Sequence, residues 1–68
     1  MNIIFQQYQK CNQSANTVNE LLDRPGINGD DVNTLNRELG FLRSWYNKLQ
    51  QEGVDMGFID STINRCNS

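Results

Sequence analysis

The residues with chemistry to offer are few. The 68-residue chain has no histidine, which removes the commonest general base and the commonest zinc ligand. The cysteines, Cys11 and Cys66, stand far apart with no second cysteine at CxxC spacing, so no metal-binding spacing is present. Asp30 and Asp31 are adjacent carboxylates that could share a proton. They sit where a helix would start, and capping accounts for them. The surrounding NGDDVN lacks the alternating ligands and closing glutamate of a calcium loop. No run of glycines is arranged to cradle a phosphate. The expectation is a protein that is not an enzyme and carries no metal or cofactor.

A second group could bind rather than react. Phe41, Trp45 and Tyr46 lie close in sequence to Arg37, Arg43 and Lys48. Aromatic residues with arginine are what protein interfaces use as anchors. They could also stack a base, with the many amide side chains reading its edge. Glu38 and Glu52 balance the cations, and the net charge of −2 argues against nucleic acid, which clustered Lys and Arg would bind. The candidate partner-binding residues are Phe41, Trp45, Arg37, Gly40 and Ile27. Gly40 is either a site of close approach by another chain or a tolerated defect in a helix. Ile27 is either an exposed anchor or a plug over the end of the fold.

The elements that would position these residues are helices. Val32, Leu35, Leu39, Leu42, Tyr46 and Leu49 follow at steps of three and four, one heptad seam along a helix over residues 30–52. Phe41 and Trp45 make a second stripe beside it, so this helix is expected to be the one around which the chain is organised. Ile4, Tyr8, Cys11, Ala15, Val18 and Leu22 repeat the pattern and predict a helix over residues 2–24. Its outer face is rich in Gln, Asn, Ser and Thr and gains little from ion pairs; Glu20 and Arg24 are the pair expected there. Between the two, Arg24-Pro25-Gly26-Ile27-Asn28-Gly29 is a break: Pro25 disfavours helix at the residue before it, and Pro-Gly and Asn-Gly are turn dipeptides. Asp30 or Asn28 caps the second helix. Matched lengths and a loop over 25–29 predict an antiparallel helical hairpin.

Gly53 suits a left-handed cap at the end of the second helix. Asp55 then reads as the cap of a short helix over 56–66, with Val54 stapled to Ile59 and Phe58 or Ile59, Ile63 and Cys66 on one face. It is expected to return along the second helix and cover Phe41 and Trp45. The fold class is all-α, a small three-helix bundle in a single domain over 1–68. At this length only about 60% of the unfolded surface can be buried. The three helices cannot cover both apolar faces fully, so self-association, as a dimer, is expected.

The outline is similar to that of small bacterial and phage helical proteins such as plasmid copy-number regulators, secretion co-chaperones and phage-encoded inhibitors of host systems. That likeness is architectural; it implies a class of role and no residue assignments. The expected function is a small interaction protein acting through a helical face on itself and on a larger protein, as regulator, inhibitor or co-chaperone. The alternative is a helical oligomer that holds a small nucleotide-like ligand between its second and third helices. The start, MNIIFQQYQK, has no basic n-region and no sustained apolar run, so no membrane partner is expected and the compartment is the cytoplasm, a host's if the protein is viral. There Cys11 and Cys66 are expected to be free thiols, although helical rise places them at similar heights, about 12 and 15 Å above the base of the bundle. Cys11 is expected to react slowly and Cys66 fast.

Overall fold

A computed structural model describes residues 2–67. Among them are α1 (Ile3–Asp23), α2 (Gly29–Gln51) and α3 (Gly57–Asn67), with no strand. α1 packs on both α2 and α3. None of these helices is long and apolar enough to cross a membrane.

Local chemistry sets the ends. Asn2 caps α1, its side-chain oxygen accepting from the Ile4 N–H at 3.0 Å. α1 stops where Arg24 turns extended, ψ 142°, as the residue before Pro25 must. The cap of α2 is Asn28. Its side chain accepts from the Asp31 N–H at 2.9 Å, and the Asp31 carboxylate accepts from the Asn28 N–H at 3.4 Å. This reciprocal box uses donors that a helix start leaves without partners. The Asp31 carboxylate also takes Arg24 at 3.0 Å across the connection. Arg24 therefore reaches forward to Asp31, where the sequence suggested Glu20 behind it. Gly53, at φ +80°, is the left-handed residue after α2, and its N–H donates to the Gln50 carbonyl. At the start of α3 the Asp55 carboxylate accepts from the Gly57 N–H at 2.9 Å.

The core joins Cys11, Ala15 and Val18 of α1, Leu42 and Leu49 of α2, Met56, and Ile59 of α3. Fully burying an aliphatic side chain is worth about 1.5–3 kcal/mol. Ile4, Tyr8, Leu22, Leu35, Leu39 and Tyr46 of the two seams pack against this core while partly exposed. Val32 departs from the seam and is exposed. It lies in the first turn of α2, beyond the last well-covered layer, where Leu22 and Leu35 are themselves only half-buried.

Two further expectations need correction. The first is the central element. α2 buries only Leu42 and Leu49, whereas α1 buries Cys11, Ser14, Ala15, Val18 and Leu21. A helix with neighbours on two sides is covered over a wide arc, so Leu21 is buried as well as the seam beside it. The second is the course of α3. It docks on α1: the Tyr8 hydroxyl donates to the Asp55 carbonyl at 2.6 Å, and Asn19 Nδ2 donates to the Thr62 hydroxyl at 2.8 Å. Arg65 then reaches Asn19 and Asp23. These contacts advance along both helices together. α3 meets α2 on the Tyr46 side, where the Tyr46 hydroxyl donates to the Asp60 carboxylate.

Candidate functional site

α1 and α2 leave an open groove between them, about 510 Å³ in volume. One wall is Lys10, Gln13, Ser14 and Thr17 of α1, and the other is Arg37, Glu38 and Phe41 of α2. On α1 the spacing i, i+3, i+4, i+7 puts these four side chains around one spot on the helix surface. Ser14 is the small member at the bottom, 8% exposed. Its hydroxyl has no hydrogen-bond partner among the described residues. Thr17 is satisfied locally, donating to the Gln13 carbonyl at 3.2 Å. Lys10 has no acidic partner among the described residues, and Arg37 meets Glu38 only at 4.0 Å. Two cations against one carboxylate make this groove locally positive on a chain that is negative overall.

Of the residues singled out from the sequence, the groove brings Arg37 and Phe41 together. It does not include Trp45, which is half-buried and packs against the core. Gly40 is exposed, and a Cβ built on it would meet nothing within 4 Å; no part of the described chain approaches it closely. Ile27 is exposed in the connection between α1 and α2 and does not plug the end of the fold. The aromatic and arginine grouping expected between the second and third helices is split: Arg37 and Phe41 face the α1/α2 groove, while Arg43 and Tyr46 stay where α2 meets α3. Its partners Lys10, Gln13, Ser14 and Thr17 were missed. Their spacing was visible, but as polar residues beside a seam they read as solvated surface.

The side where α2 meets α3 holds a smaller hollow of about 280 Å³, around Arg43, Tyr46, Asn47, Asp60, Ile63 and Asn64. The carboxylate of Asp60 beside it pushes the Tyr46 phenol above its usual range, mainly through their hydrogen bond. Both cysteines are free. Burial raises the Cys11 thiol above its ordinary value. Burial also raises Cys66, and Arg43 and Arg65 pull it partly back. A thiol held protonated is a poor nucleophile, and both shifts run in that direction.

A third surface was not foreseen. Ile3, Phe5 and Phe58 are exposed, Phe5 by 55% and Phe58 by 44%. The Tyr8–Asp55 hydrogen bond ties together the starts of α1 and α3, so Phe5 and Phe58 lie at the same end of the molecule; Ile3, two residues from Phe5, points to another side of α1. The sequence signal was available, since Phe5 falls outside the first seam and Phe58 was one of two alternatives for the inner face of the third.

No family model, curated protein or solved structure matches this chain.

Proposed function

We propose that this is a small non-enzymatic interaction module of the cytoplasm, built as an antiparallel helical hairpin with α3 laid against it. It acts as a regulator, an inhibitor of the phage-encoded anti-host type or a co-chaperone, and it docks on itself and on a larger protein. The observation that carries this reading is the exposure of Phe5 and Phe58 at the end where α1 and α3 begin. Large apolar side chains grouped on a surface mark an interface. In so small a chain the occupant is a second copy, because a domain of this size gains from burying surface by association.

Sedimentation of the wild type beside Phe5→Glu and Phe58→Glu tests the self-association. The wild type is expected to run as a dimer and the variants as folded monomers. Chemical cross-linking in the producing cell tests the larger partner, and the absence of any cross-linked protein would count against it.

One observation favours a second reading, a nucleotide-like ligand held by a helical oligomer: Phe41 shares its groove with Arg37 and Lys10. Native mass spectrometry of gently purified protein discriminates. A co-purifying small molecule supports this second reading, and a bare chain mass opposes it.

A further inference from the structure

We propose that the α1/α2 groove is the acceptor for an acidic amphipathic helix of the larger partner. This deepens the interaction reading above and rests on it. Lys10, Gln13, Ser14 and Thr17 stand at i, i+3, i+4 and i+7 on α1. Four residues at that spacing form the hole that receives one side chain of a facing helix. The bottom of the hole is a serine, so there is room for a knob. The Ser14 hydroxyl has no partner among the described residues and is not sealed from solvent, so it can donate to a group that approaches it. Phe41 supplies the apolar wall opposite.

The position in the fold agrees. α3 meets α2 on the Tyr46 side, through Asp60, and the groove is lined by other residues of α2, Arg37, Glu38 and Phe41. A helix laid there would complete a four-helix arrangement around α1 and α2. The form of the groove also chooses between occupants. Small-molecule sites enclose most of their ligand's surface, whereas this groove is open to solvent. Lys10 to Thr17 spans about 10 Å of helix axis, two turns of an incoming helix.

Charge chooses the partner's flanks. Measured from the Arg24–Asp31 pair that pins the connection, helical rise puts Arg37 about 9 Å and Lys10 about 21 Å down the bundle. The cations therefore stand on opposite walls, roughly 12 Å apart along the axis. An occupant with carboxylates on both sides of its apolar stripe, about two turns apart, meets both. Its apolar stripe seats on Ser14 and Phe41.

The test is a nuclear magnetic resonance titration of the full chain with two synthetic helical peptides of equal length. One carries leucines at i, i+4 and i+7 flanked by glutamates; in the other every glutamate is lysine. The acidic peptide is expected to move the amide signals of residues 10–17 and 37–41. It should bind roughly tenfold more tightly than the basic one at low salt, and the gap should narrow as salt is added. Ser14→Leu fills the hole and should abolish these shifts, while Ser14→Ala keeps them. Lys10→Glu with Arg37→Glu, both at exposed positions, should reverse the preference between peptides without loss of fold.

Equal binding of the two peptides, or no shift with either, overturns the proposal. So does ATP moving the groove signals where the peptides do not. Groove signals that move with protein concentration alone would mean that a second copy is the occupant, and also overturn it. Shifts confined to the Phe5 and Phe58 end reject the groove while leaving the interaction reading standing. A chain that never associates and meets no partner rejects that reading, whatever the peptides do.

Discussion

Where α1 meets α2 the fully buried groups are apolar, Leu42 and Leu49 closing on Cys11, Ala15 and Val18, with Ser14 buried beside them at the groove. Where α1 meets α3, Ile59 is buried in the same way, but a polar chain runs beside it. The Thr62 hydroxyl donates to the Phe58 carbonyl and accepts from Asn19. Asn19 also donates to the Ala15 carbonyl and accepts from Arg65, which holds Asp23. An apolar interface is strong but nondirectional. A satisfied polar chain adds little net energy, yet it fixes register because a shift of α3 would part the buried Thr62 from Asn19. One side of α1 thus supplies most of the stability, and the other decides where the short third helix sits.

The largest expected effect breaks the apolar side. Leu42→Ala should cost about 2–5 kcal/mol in urea unfolding, the range for a fully buried leucine. Leu39→Ala, at a half-buried position, should cost clearly less. Equal losses at the two would mean that the burial contrast along α2 is misplaced.

Thr62→Val probes the polar side with little change of shape. It should cost about 1 kcal/mol overall. Its signature is local: amides of α3 should exchange faster while those of α1 and α2 hold, because a short helix exists only while it is docked. Uniform loss of protection along the chain would show that the α3 dock is not a separate unit.

Gly40→Ala should stabilise the fold by roughly 0.5–1 kcal/mol, since a helical glycine is replaced at a position whose new Cβ meets nothing. If the variant melts higher but associates less, Gly40 is a point of approach for another chain. If it melts lower, α2 is not regular there.

Arg24→Ala is the mildest. Its ion pair with Asp31 is largely exposed on the Arg24 side, and such pairs are worth a few tenths of a kcal/mol. A large drop in melting temperature would mean that the connection governs stability more than either face of α1.

The same contrast explains what the sequence disclosed. Heptad spacing marked α1 and α2, and Pro25, Asn28 and Gly53 marked their ends, because backbone and capping preferences are local. The choice of central helix was not local. Seam counts made α2 look dominant, since Phe41 and Trp45 appeared to demand a cover. The position of α3 was decided by Asn19, Asp23, Thr62 and Arg65, polar residues at long sequence separation whose types alone suggest solvated surface. The candidate site was half legible for the same reason. Arg37 and Phe41 were named from composition, while Ser14 gains its meaning only when a second helix stands beside it.

The most direct test of the proposed role is sedimentation equilibrium over a wide range of protein concentration. A chain of 7.8 kDa that associates through Phe5 and Phe58 should show a mass rising to twice that value, and Phe5→Glu with Phe58→Glu should return it to the single-chain mass with helix content unchanged. A wild type that stays at the single-chain mass at the highest concentration would contradict it.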